Sequence, residues 1–108
     1  MQTDVSPTAL GKGDFASLGN NQVLAVDPKT GVFRRFLTGP RGCEITGFHT
    51  TPDNRSAFVN IQHPGEAPGG SKPDNPRANS NWPDYAPNGR PRSATVVIRR
   101  KDGGIVGT

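Results

Sequence analysis

Apolar positions along this chain come in short runs separated by turn-forming residues, and no run repeats at the 3.6-residue spacing of a helix. The first run is Gln22-Val23-Leu24-Ala25-Val26 and the second is Val32-Phe33-Arg34-Arg35-Phe36-Leu37. Between them Asp27-Pro28-Lys29-Thr30-Gly31 reads as a turn: Asp caps it, Pro presets φ, and Gly takes a positive-φ position. The apolar alternation of the second run slips by one residue, and a bulge near Arg34-Arg35 would restore it. The next pair is Ile45-Thr46-Gly47-Phe48-His49-Thr50 and Ser56-Ala57-Phe58-Val59-Asn60-Ile61-Gln62, joined by Thr51-Pro52-Asp53-Asn54-Arg55. The last pair is Ser93-Ala94-Thr95-Val96-Val97-Ile98-Arg99-Arg100 and Ile105-Val106-Gly107-Thr108, around Asp102-Gly103-Gly104.

The pattern predicts six short antiparallel strands in three hairpins, with no significant helix. From Ile45 onward they form one four-stranded unit, preceded by two strands of an earlier one. The fold class is therefore all-β, a partial β-propeller of about one and a half blades. Residues 1–21 are polar, Gly-rich and aperiodic, and read as a flexible lead-in to the β unit of residues 22–108. Residues 67–92 read as a Pro/Gly-rich loop, since seven of the eleven prolines lie between Pro64 and Pro91. Trp82 and Tyr85, the single Trp and Tyr of the chain, are placed to pin that loop to a surface.

Composition changes the picture in one respect. With 31% apolar residues, 14 Gly and 11 Pro in 108 residues, the core must be thin. A chain of this length buries only ~60–65% of its unfolded surface even when well packed. Completion by a partner or by further sequence is expected. The net charge of +4 arises from scattered basic residues; only Arg99-Arg100-Lys101 forms a run. Aromatics are not interleaved with them, so a stacking platform for nucleic acid is not expected. No apolar stretch approaches the ~18 residues of a membrane span, and residues 1–15 lack the apolar region of a signal peptide. Cys43 is the single cysteine, which excludes an internal disulfide. There is no phosphate-cradling G-x-x-x-x-G-K-[ST] loop and no G-x-S-x-G nucleophile elbow.

Four elements together carry a resemblance: V-L-A-V-D-P-x-T-G, G-x-E-I-T-G, F-V-N-I-Q-H-P-G-E and R-S-A-T-V-V-I-R-R, in that order. With SNWPDY between the last two, they resemble the C-terminal portion of the PhoX-type secreted alkaline phosphatases (domain of unknown function 839), from about Gly19 onward. The resemblance implies a β-propeller with insertions, hydrolysis of phosphate esters, calcium and iron ions in a central channel, and export to the periplasm or beyond. It also implies that the rest of the propeller is the natural partner of this chain, which would be inactive alone.

Within that frame Glu44 is the first candidate for a metal-site residue. It precedes a strand that would begin beside the channel, and hard cations prefer oxygen ligands. Arg41 is a candidate for binding substrate phosphate, because its planar fork matches two oxygens. His63 and Glu66, in Gln62-His63-Pro64-Gly65-Glu66, are weaker candidates; the segment reads first as a structural turn ending the strand. Cys43 reads as a small buried hydrophobe, since neighbours in a strand point to opposite faces. His49 reads as a surface histidine. Asp53-Asn54 lacks the spaced oxygens of an EF-hand loop. No catalytic residue is assigned. A reading of another class stands beside this one: a non-catalytic β module that binds or forms homo-oligomers through exposed strand edges.

Overall fold

In a computed structural model, which describes residues 1–68 and 74–108, the two earlier hairpins form where the turn chemistry places them. Among the described residues there are five strands: β1 (Gln22–Val26), β2 (Phe33–Thr38), β3 (Glu44–Thr50), β4 (Ser56–Gln62) and β5 (Ala94–Arg99). They make two antiparallel sheets, β1-β2 and β3-β4-β5. Helical structure among the described residues is one 3-10 turn, Gly13–Phe15. The arrangement is a partial propeller, all-β and antiparallel, as the pattern predicts.

The first turn works as its residues dictate. Lys29 N–H donates to Asp27 Oδ1 (2.9 Å), and Gly31, at φ 69°, donates to the Asp27 carbonyl (2.8 Å). Opposite, the register of β1 on β2 jumps from Val23↔Leu37 to Leu24↔Arg35, which leaves Phe36 as the extra residue. The expected bulge thus falls one residue past Arg35. A second bulge, not anticipated, interrupts β3. Thr46 pairs with Asn60 and His49 with Phe58, so Gly47 and Phe48 together face Val59, and Gly47 supplies the positive φ (57°). The two bulged phenylalanines meet: Phe36 and Phe48 pack edge to face, with centroids 6.1 Å apart at 84°. One bulge in each sheet therefore aims an aromatic ring at the other sheet.

The core is small. Val23, Cys43, Ile45, Ala57, Val59 and Ile61 are buried, with Phe36, Leu37, Trp82, Val96 and Ile98 packed around them. β4 is the central strand and buries alternate residues Ala57, Val59 and Ile61. Trp82 brings its loop onto the core, whereas Tyr85 is 67% exposed. Arg92 further ties that loop, donating to both carboxylate oxygens of Asp84 at 3.0 Å. Residues 69–73, part of the Pro/Gly-rich loop, lie outside the described residues.

The third hairpin is corrected. The Asp102-Gly103-Gly104 turn forms, with Gly103 at φ 73° donating to the Arg100 carbonyl (3.1 Å), but no sixth strand follows. Instead the tail crosses to the β3–β4 turn. Val106 N–H donates to the Asn54 carbonyl (2.9 Å), and Arg55 Nη1 donates to the Gly103 carbonyl (3.0 Å). The physical reason lies in the tail's composition: Gly104 and Gly107 weaken a strand, and Arg55 offers the tail a competing hydrogen bond. The unit from β3 onward is consequently three-stranded. Residues 1–3 add to β1 by backbone bonds: Thr3 N–H to the Gln22 carbonyl (3.0 Å) and Leu24 N–H to the Met1 carbonyl (2.8 Å). No helix among the described residues is long and apolar enough to cross a membrane.

Candidate functional site

Antiparallel pairing sets the start of β3 beside the end of β4, with Glu44 opposite Gln62. Two turns therefore meet at this end of the sheet, the one before β3 and the one after β4. The first is Pro40-Arg41-Gly42-Cys43. Cys43 N–H donates to the Pro40 carbonyl (3.2 Å), and Gly42 holds the positive φ (69°) that a type II turn requires at its third position. The second is His63-Pro64-Gly65-Glu66, closed by Glu66 N–H donating to the His63 carbonyl (3.3 Å). Gly65 N–H joins them by donating to the Arg41 carbonyl (2.7 Å). The contact is so close that a Cβ on Gly42 would lie 2.7 Å from the Glu66 nitrogen and would overlap its carbonyl oxygen.

The side chains follow from these turns. His63 sits in the left-handed region (φ 35°), and its ring lies between two carboxylates. Nε2 is 3.3 Å from Glu44 Oε2, and Nδ1 is 3.2 Å from Glu66 Oε2. A neutral imidazole can donate to only one of them; both contacts are hydrogen bonds only when both ring nitrogens carry protons. Glu44 is the more enclosed of the two carboxylates, its side chain 24% exposed against 40% for Glu66. Arg41 and Glu66 line a cleft of about 370 Å³ together with Lys12, Asn20, Gly42 and Asn79. The cleft presents two cationic side chains and one carboxylate.

The structure thus brings Arg41, Glu44, His63 and Glu66 to one end of the β3–β4 pair. His49 and Asp53 fall at the opposite end. His49 is exposed. Asp53 caps the turn, accepting from Thr51 Oγ1 (2.6 Å) and Arg55 N–H (3.1 Å), and the Thr51 bond leads in holding its carboxyl below the usual range. Cys43 is buried (1% exposed), and desolvation pushes its thiol up to about 11.

The resemblance implies calcium and iron, but these residues alone do not make up such a site. Among the described residues no group of three or more His, Cys, Asp and Glu side chains could hold a metal ion. Calcium takes six to eight oxygens, and the two carboxylates here, Glu44 and Glu66, contact opposite nitrogens of the His63 ring.

Residues within the expected lead-in also enter the site. Asn20 and Asn21 are 9% and 3% exposed and reach the turn before β3. Asn79 Nδ2 donates to the Gly65 carbonyl (3.1 Å), and Ser93 Oγ accepts from His63 N–H (3.1 Å). The one sequence signal for the asparagines is their position immediately before β1, where capping and loop-bridging polar residues collect.

With this geometry established, comparison with known proteins identifies the chain's relatives. The model of the family described as alkaline phosphatase PhoX matches residues 1–65. The chain belongs to that family. It is also similar to a solved structure, the Pseudomonas fluorescens PhoX in complex with vanadate, a transition state analogue. Sequence identity is 48%, the TM-score is 0.80, and the match covers 98% of this chain. It covers 16% of that chain, so this PhoX-family chain spans about a sixth of its solved relative's length. No curated protein matches it.

Proposed function

We propose that this chain is a portion of a metal-dependent phosphatase that hydrolyses phosphate esters, and that it is inactive without the rest of the propeller. The observation supporting this reading is the 48% identity in a match that covers 98% of the chain, to a relative solved with vanadate, a transition state analogue. In this reading Arg41 binds the phosphate group through its fork of N–H donors, and Lys12 across the cleft adds positive charge. Glu66 in the same cleft would repel an anion, and the His63 contact at 3.2 Å offsets that charge when the ring is protonated. Glu44 lends one carboxylate to a hard-cation site, calcium or iron, whose remaining ligands come from other parts of the protein. The intact protein acts in the periplasm or outside the cell.

Calorimetric titration with orthophosphate, calcium and ferric ion tests this, with p-nitrophenyl phosphate turnover followed on the same samples. Weak orthophosphate binding abolished by Arg41→Ala, and weak cation binding abolished by Glu44→Ala, both without turnover, are the expected results. Turnover at enzyme-like rates would overturn the inactivity of the isolated chain. Absence of both binding events in the native sequence would remove Arg41 and Glu44 from the site.

One observation favours a second reading. Among the described residues β5 pairs only with β4, and Val97 on it is 50% exposed. An open edge with an exposed β-branched residue is a template for strand pairing. Self-association of this chain through β5, or its capture by another strand, is the non-catalytic alternative.

A further inference from the structure

The turn that carries Arg41 and leads into Glu44 is closed by one backbone bond of its own, Cys43 N–H to the Pro40 carbonyl (3.2 Å). One buried side chain, that of Asn20, grips it at four points. Asn20 Nδ2 donates to the Pro40 carbonyl (2.7 Å) and is shared with the Cys43 carbonyl (3.3 Å) and Cys43 Sγ (3.3 Å). Asn20 Oδ1 accepts from Gly42 N–H (3.0 Å). We infer that Asn20 is a positioning residue, which acts through the Pro40-Arg41-Gly42-Cys43 turn to set the direction of Arg41 and the start of β3 at Glu44.

The chemistry of the amide makes the assignment specific. The turn offers carbonyls at both ends and an N–H in the middle, so it needs donor and acceptor from one short side chain. Asparagine carries both on one carbon. Aspartate keeps the acceptor and, when ionised, loses both donors. Alanine loses everything: the Gly42 N–H is left to find another partner, and the Pro40 carbonyl keeps only its bond from Cys43 N–H. Asn20 is itself held from behind, because the next residue anchors the chain. Asn21 Nδ2 donates to the Cys43 carbonyl (3.0 Å), Asn21 Oδ1 accepts from Val5 N–H (2.7 Å), and its carbonyl accepts from Gly39 N–H (2.8 Å). Asn20 also lines the Arg41 cleft, so its grip on the turn is made at the proposed phosphate site.

The functional half of this inference rests on the phosphate reading of Arg41; the structural half does not, and the test separates them. Asn20→Ala, Asn20→Asp and Gln22→Ala are compared with the native chain. Gln22 is the control: it is 3% exposed and hydrogen-bonded to Leu18 and Arg35, away from the turn. Amide exchange at Gly42 and alkylation of Cys43 report the turn, and orthophosphate titration reports Arg41. In Asn20→Ala, Gly42 exchange and Cys43 alkylation should each accelerate at least tenfold, and orthophosphate affinity should fall at least fivefold. In Asn20→Asp, Gly42 should stay protected while Cys43 alkylation rises and orthophosphate affinity falls. Gln22→Ala should leave affinity within twofold of native whatever it does to stability. If Asn20→Ala does not fold, Asn20→Asp carries the test. Native-like Gly42 exchange and Cys43 alkylation in a folded Asn20→Ala, or native-like alkylation in Asn20→Asp, would overturn the inference. If the native chain itself binds no orthophosphate, the Arg41 reading fails, and the exchange and alkylation results alone decide the role of Asn20.

Discussion

Replacing Gly42 with alanine tests whether the two turns at the end of β3–β4 are pressed together as tightly as their geometry indicates. The perturbation has two parts. Alanine at φ 69° pays the left-handed cost, ~1–2 kcal/mol for an L side chain. The new Cβ also lies 2.7 Å from the Glu66 nitrogen and overlaps the Glu66 carbonyl. That neighbour is backbone, and Gly65 beside it is held by the Arg41 carbonyl (2.7 Å) and by Asn79 (3.1 Å), so it yields poorly. Overpacking of this kind costs ~1–3 kcal/mol. Gly103→Ala is the matched reference: its φ is 73°, and nothing lies within 4 Å of an added Cβ. Both variants share the left-handed cost, and the difference isolates the collision. Urea unfolding by circular dichroism should therefore show Gly42→Ala less stable than Gly103→Ala by ~1–3 kcal/mol. At a slope of ~1–3 kcal/mol per molar urea, this is a midpoint difference of about 1 M. Equal midpoints, within about 0.5 kcal/mol, would refute the close approach of the two turns.

Four further outcomes follow from the core and the edge. Cys43, with its thiol pushed from 9.0 to about 11, should be alkylated by iodoacetamide at pH 8 roughly 100-fold more slowly than the urea-unfolded chain; a ratio near one would contradict its burial. Because the folded state holds that thiol proton more tightly than the unfolded state, the stabilising contribution is full below pH 9 and is lost as pH rises toward 11, which urea midpoints across that range will read. Ile61→Ala, at 2% exposure in the central strand, should cost ~2–5 kcal/mol and leave little folded protein, whereas a loss below ~1 kcal/mol would mean that the site is not packed. Val97→Lys should leave thermal stability nearly unchanged and abolish any concentration-dependent association seen by sedimentation; persistence of that association would move the contact away from the β5 edge.

What was legible in the sequence was local. Asp27 through Gly31 encode a turn by residue type alone, and the alternation Ala57, Val59, Ile61 encodes the buried face of β4. The clustering of Arg41, Glu44, His63 and Glu66 follows from the hairpin, which must bring its first and last residues together, although in the sequence the four stand only as separate candidates. The sixth strand was misread because Ile105-Val106 has strand propensity but no sequence feature says that Arg55 and Asn54 compete for the tail. The β3 bulge was missed because Gly47 in a strand signals an irregularity without saying of what kind.

The larger omission was Asn20 and Asn21, and it has the same cause as the others. Their segment has no periodicity and little apolar surface, the pattern of a chain that does not order itself. Periodicity reports which residues a segment buries, and these two are buried for their amides, which satisfy the carbonyls and N–H groups of a turn twenty residues away. Such a role leaves no trace in hydrophobic spacing. It also explains how a chain with six buried apolar residues among those described fixes this turn: where area is scarce, the hydrogen bonds of two buried asparagines supply the specificity that packing would otherwise provide.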